Sequence, residues 1–223
     1  DCDTRYRSDN FKFIIFYVIL PILIFQAALE INIEILWRNI IPIVLMGLPL
    51  MVVSAFLIAI SVYYGINHPV GFPWLAALIT GVLLSATDPA SVISLLKRKK
   101  APENIQTLLE GESLFNDTTA IMIFTILIAI AANSQETTSF TMLSLRFAEV
   151  FFGGILVGVV VGLVVSSIIR LLNNQQAFVF VSISSTYLTF IVAEDILFFS
   201  GVIAVLVNGL VISHFSKAWL DDR

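Results

Sequence analysis

The chain has 223 residues, 58% of them hydrophobic and only 13% charged, whereas a soluble domain carries about 25% charged residues. Its 12 basic and 16 acidic residues leave a net charge of −4, and the charges gather between apolar stretches, which excludes a nucleic-acid binder, a soluble enzyme and a disordered scaffold. Apolar runs of about 17–25 residues recur along the whole chain and predict an all-α polytopic helical membrane protein; outer-membrane strands would alternate apolar and polar residues over about ten positions.

Seven spans are predicted, near residues 11–29, 40–65, 74–97, 105–132, 147–172, 176–194 and 196–213. The first ends on Gln26 and Glu30, with Glu30 read as solvated. A polar turn, Asn67-His68-Pro69, separates the second span from the third, and the basic run Lys97-Arg98-Lys99-Lys100 separates the third from the fourth. The longest polar stretch, 133–139, reads as an extracellular loop. In the fifth span Gly154, Gly158 and Gly162 recur at spacing four, a small-residue stripe that lets another helix approach closely and so reads as packing rather than chemistry. The last two spans are short, and Glu194-Asp195 between them reads as a capped hairpin turn, with His214 at the end of the final helix.

Orientation follows from the basic residues. Placing the Lys97–Lys100 loop in the cytoplasm also puts Arg38, Arg170, Lys217 and Arg223 there, eight basic residues against four (Arg5, Arg7, Lys12 and Arg146) on the other face. Cys2 is the lone cysteine and forms no internal disulfide, and two histidines are too few for a metal cluster. The absence of an initiator Met and the abrupt end at Asp221-Asp222-Arg223 read as a piece of a longer chain without a signal peptide. No internal repeat is visible.

Carboxylates inside spans need an explanation. Asp88 stands midway along the third span, where an ionised side chain costs about 2.5–3.5 kcal/mol on insertion scales. Pro89 beside it has no N–H, so the helical bond to the Ser85 carbonyl is lost and neighbouring carbonyls are released. Freed carbonyls with a carboxylate are hard oxygen ligands suited to Na⁺, and such a break is tolerated where it lines a wet cavity or is buried in protein; the residues alone leave open a plain proline kink with a hydrogen-bonded Asp.

In the fourth span Ser113, Asn116 and Asp117 stand at i, i+3 and i+4 and share a helix face, with Glu112 four residues before Asn116 on an adjoining one. That stripe can face Asp88. Glu110 lies nearest the basic loop and reads as an ordinary first-turn acid, while Glu112 is open between structure and function, since no Lys or Arg in the spans is an evident partner. Two carboxylates in one low-dielectric cavity do not both ionise cheaply, so the site holds a cation or a proton. Competition of that kind, with access alternating between faces, is the chemical requirement for cation/proton exchange.

Thr87-Asp88-Pro89, followed after a basic loop by Glu110-Gly111-Glu112-Ser113-Leu114-Phe115-Asn116-Asp117, resembles the signature of sodium/proton antiporters of the monovalent cation:proton antiporter family, bacterial and archaeal branch. Leu20–Leu29 and Ser200–Val211 resemble an early and a later helix of that family over nearly the whole chain. The resemblance implies a larger inverted-repeat fold of about a dozen helices, homodimeric, with a discontinuous helix at Thr87-Asp88-Pro89 and a mobile core domain. It also implies Asp117 as principal ion- and proton-binding carboxylate, Asp88, Thr87 and Ser113 as ligands or site-shaping groups, and Asn116 and Glu112 as supporting residues. Asn116 in place of a second aspartate is similar to relatives that exchange one cation for one proton without net charge. Asp117 and Asp88 are thus the expected ligands of a transported Na⁺, Li⁺ or K⁺, with no cofactor beyond the transported ions and no nucleic-acid partner, in a prokaryotic cell membrane.

The family's early helix reads Pro-Pro and Phe-Glu, where this chain has Pro21-Ile22 and Phe25-Gln26, so no role of that Glu carries over. In the family Glu112 pairs with an arginine from a late core helix, which this stretch lacks, so residues 1–223 alone are expected not to transport. Competing readings are an intramembrane aspartyl protease using Asp88 and Asp117 as a dyad, a structural membrane subunit, and a channel or K⁺-selective relative. The protease's Gly-any-Gly-Asp motif is absent around both acids, and a structural subunit leaves two midspan carboxylates unexplained.

Overall fold

A computed structural model describes residues 14–66, 72–132, 140–172 and 175–221. The readings on residues 11–13, on His68, on the 133–139 loop and on Cys2, Arg5, Arg7, Lys12 and Arg223 lie outside these. Among the described residues the chain is helical and has no strand. A π-helical turn, Ile14–Ile19, leads into α1 (Leu20–Glu30); α2 (Ile33–Arg38) and α3 (Ile40–Leu45) follow, and a π-turn, Met46–Leu50, joins α3 to α4 (Met51–Gly65). Then come α5 (Trp74–Ser85), α6 (Ala90–Arg98), α7 (Glu103–Ala132), α8 (Phe140–Leu172), α9 (Gln175–Ile191) with a π-turn at Val192–Ile196, and α10 (Gly201–Asp221). Four helical stretches, Ile40–Gly65, Glu103–Ala131, Ser144–Leu171 and Phe178–Ile196, are long and apolar enough to cross a membrane. Three shorter apolar ones occupy Tyr17–Glu30, Trp74–Ser85 and Gly201–Phe215.

The chain divides into two compact units, residues 1–30 with 148–223 and residues 31–147. In the first, glycines let helices touch backbone to backbone. Gly158 on α8 lies against the Ala204 carbonyl, and a Cβ there would stand 2.8 Å from the Val207 Cβ. Gly154 fits the same way against the Ser200 carbonyl (2.8 Å) and Gly162 against the Val211 Cβ (2.8 Å). The stripe is therefore packing, and its partner is α10, which runs parallel to α8 because the contacts ascend both helices together. On another side of α10, Gly209 admits Ala28 of α1 (2.7 Å).

The turn between α9 and α10 differs from the sequence reading. The tight hairpin expected there is present, but it turns later than Glu194-Asp195: the helix continues through its π-turn to Ile196 and reverses over 197–200, with Phe198 in the left-handed region at φ 57°. Glu194 reaches forward to cap α10, accepting the Gly201 N–H at 2.8 Å, as a carboxylate at a helix N-terminus does. Asp195 accepts the Tyr17 hydroxyl at 2.9 Å. Against the expected 176–194 and 196–213, the helices run from Gln175 to Ile196 and from Gly201 to Asp221, and His214 lies inside α10 rather than at its end. Glu194→Ala removes the cap and is expected to destabilise the protein by about 1 kcal/mol, with Glu194→Gln, which keeps an acceptor oxygen, costing less; thermal unfolding of the two variants checks the order.

The second unit holds the helix break. Pro49 cannot donate to the Leu45 carbonyl, and the helix answers with the π-turn at Met46–Leu50. There Gly47 presses on the middle of α7, where a Cβ would stand 2.7 Å from the Phe115 Cβ and 3.2 Å from the Asn116 nitrogen. One turn earlier, Gly111 of α7 lies under Ile43 and Leu36. Gly81 of α5 sits on the Ala55 carbonyl of α4, and Met51, Ala55, Val82, Ala120 and Leu127 form the core joining α4, α5 and α7. Asn32 and Asn39 of the α2 region bond Glu103 (3.0 Å) and Asn104 (2.7 Å), fixing the start of α7.

Candidate functional site

The third apolar stretch is two helices. α5 stops at Ser85, the chain runs extended from Ala86 (φ −67°, ψ 121°), and α6 restarts behind Pro89, whose carbonyl accepts the Ile93 N–H at 2.8 Å. Proline explains both halves: it removes the N–H that would bond to Ser85 and biases Asp88 before it toward extended backbone. The released Ser85 carbonyl is taken by the Asn116 side-chain amide at 3.4 Å.

Asn116 is the hub of the site. It is buried, and its Nδ2 also donates to the Thr87 hydroxyl at 3.0 Å and to Glu112 Oε1 at 3.4 Å. Its Oδ1 is buried with no hydrogen-bond partner among the described residues. The Ser113 hydroxyl donates to the Thr87 carbonyl at 3.3 Å, so α7 grips the break at two successive polar positions. Asp117, half-buried one turn on, lies in hydrogen-bonding reach of Ser113 and close enough to Asp88 and Glu112 to feel both charges. Asp88 itself is exposed on the surface of this chain.

Thr87, Asp88, Glu112, Ser113, Asn116 and Asp117 are thus brought to one place, and Glu110 is not among them: it stands two turns into α7 rather than in its first turn, and pairs with Lys97 at 2.9 Å. Among the described residues Glu112 accepts from the Asn116 amide, where a cationic partner was sought. What the sequence reading missed is the support behind the site, Gly47 in its π-turn; Gly47 and Pro49 inside an apolar run were the available signal. Asn116→Ala strips the partner from a carbonyl, a hydroxyl and a carboxylate at once. Ser85 is buried, and a buried polar group left unsatisfied costs about 1–3 kcal/mol, so a melting-point drop of about 2–12 °C is expected in a scan of the purified variant.

Chemically, the site offers one half-buried carboxylate, a second acid within electrostatic range, two hydroxyls and a backbone carbonyl at an unwound helix. These are hard oxygen donors for a small cation or a proton. Fold and site together define a helical integral membrane protein with an oxygen-ligand site at a broken helix. The transmembrane sodium/hydrogen exchanger family matches residues 9–220, and the chain belongs to that family. It is 34% identical over 213 residues, 94% of the chain, to the Na⁺/H⁺ antiporter ApNhaP of Aphanothece halophytica, and 34% identical over 215 residues to the low-affinity Na⁺/H⁺ antiporter NhaS1 of Synechocystis. It is 32% identical over 217 residues to the Na⁺/H⁺ antiporter NhaH of Halobacillus dabanensis. These relatives are transporters and not enzymes. The chain spans 39% of the length of each of the first two and 51% of the third.

Proposed function

We propose that this chain carries the ion-binding half of a secondary transporter that exchanges a monovalent cation, Na⁺ or else Li⁺ or K⁺, for protons across a prokaryotic cell membrane. The observation that carries the reading is Asp117, held half-buried beside Ser113 and within the field of Asp88 and Glu112, against an unwound Thr87-Asp88-Pro89 segment. A carboxylate so placed is neutralised by a cation or by a proton, and either ligand displaces the other.

In this reading Asp117 binds both ions, Asp88, Ser113 and Thr87 complete the cation's oxygen shell, and Asn116 holds the unwound segment in place while engaging Glu112. With Asn116 at the position next to Asp117, one carboxylate exchanges one cation for one proton, so transport is electroneutral. The seven apolar stretches cross the membrane, Lys97–Lys100 faces the cytoplasm by the excess of basic residues on that side, and the functional protein is a homodimer. Residues 1–223 alone do not transport, because the site needs the rest of the core domain.

The test uses everted vesicles containing the full-length protein, acidified and reporting pH by a dye. Addition of NaCl, LiCl or KCl is expected to restore pH with at least one of these salts, at a rate unchanged when the membrane potential is clamped. No response to any of the three refutes the exchange; a response that follows the potential refutes electroneutrality alone.

A further inference from the structure

The basic run at the end of α6 has a geometry beyond that of a charged loop. At about 100° per residue, Ile93 and Lys97 share one side of α6, and that side faces α7, where Lys97 pairs with Glu110. Val92, Leu95, Arg98 and Lys99 share the opposite side, and all four are exposed. The outer face of this helix therefore carries Val92 and Leu95 beside the exposed Ser91, and is cationic at its end.

The helix closes with a left-handed residue. Ala101 donates to the Leu96 carbonyl at 3.0 Å and Lys100 to the Lys97 carbonyl at 3.2 Å, the paired bonds of a Schellman cap, with Lys100 at φ 53°. Glycine is the residue that fits this position without strain. A lysine there keeps a charge where the backbone favours its absence, and it stands beside Arg98 and Lys99, all exposed.

Depth places the cluster. Edge-to-face pairs of Trp74 with Tyr63 (5.0 Å) and Phe56 (5.9 Å) form an aromatic group at the start of α5, the kind of residue set found at a membrane interface. From Trp74 through α5, the extended break and α6 to Lys97, the chain reaches at most about 43 Å, close to a bilayer of about 40–45 Å with its headgroups. That reach is enough to carry the basic cluster to the opposite headgroup layer, where phosphates are.

We propose that Arg98, Lys99 and Lys100 bind the phosphodiester of an anionic phospholipid whose acyl chain lies along Val92 and Leu95. The proposal rests on the membrane location of the chain and not on the ion exchanged.

The test is binding of a fluorescent phosphatidylglycerol to the full-length protein in detergent, with phosphatidylcholine and inorganic phosphate as competitors. Juxtamembrane basic residues each contribute about fivefold in affinity, so Arg98→Gln with Lys99→Gln and Lys100→Gly together is expected to weaken phosphatidylglycerol binding by about 100-fold. Lys100→Gly alone is the discriminating variant: it relieves the cap, leaves the melting temperature unchanged or raised, and still weakens binding about fivefold. Unchanged affinity in the triple variant, or equal binding of phosphatidylcholine, overturns the proposal. Displacement by millimolar inorganic phosphate also overturns it, in favour of a site for free anions.

Discussion

Asp117→Asn in the full-length protein is expected to abolish cation-triggered pH recovery in everted vesicles for every cation that drives it in wild type, a loss of at least about 100-fold. The amide keeps the size and hydrogen-bonding capacity of the side chain, so Ser113 retains a neighbour and the helix break keeps its brace through Asn116. What disappears is the charge that a cation or proton neutralises. Asp88→Asn is expected to be milder in proton binding and severe in cation affinity, because Asp88 is the exposed partner of the pair while Asp117 is half-buried. The vesicle assay separates the two: raising the cation concentration restores part of the Asp88→Asn rate and none of the Asp117→Asn rate. Recovery by Asp117→Asn at the wild-type rate would remove this residue from the mechanism.

The second large effect is on stability. Gly158→Leu puts a side chain against the Ala204 carbonyl and into Val207, and because that carbonyl is backbone, no rotamer change relieves the clash. Overpacking costs about 1–3 kcal/mol when side chains alone must move; with backbone in the way, the upper end or more is expected, or a fall of about 6–12 °C in melting temperature. Leu171→Ala is the control: it lies on the same helix and is 84% exposed. Thermal unfolding of the two variants in one detergent checks the contrast. Equal melting points would mean that α8 and α10 do not pack as described.

The break at Thr87-Asp88-Pro89 was legible in the sequence because proline's missing N–H is a property of the residue, independent of its surroundings. The shared face of Ser113, Asn116 and Asp117 was legible for a similar reason, since helical periodicity fixes it once the helix is assigned. The capping role of Glu194 was legible because a carboxylate suits a helix N-terminus, but the turn was placed a few residues early, since the charge belongs to the helix before the turn and caps the one after it. The use of Asn116 as a clamp on Ser85 and Thr87 was not legible, because it spans 29–31 residues of sequence and depends on how α5 lies across α7. Glu112 was measured against a cationic partner, and a neutral amide four residues away took part of that place.

The central claim is that cation and proton compete for one carboxylate, and proton release on cation binding measures it most directly. Purified full-length protein in weakly buffered solution is titrated with the salt that drives exchange, and the pH is followed. The account predicts that saturating cation releases up to about one proton per polypeptide from wild type and none from Asp117→Asn, with apparent cation affinity falling about tenfold for each pH unit where the proton dominates. Saturable cation binding without proton release would contradict it.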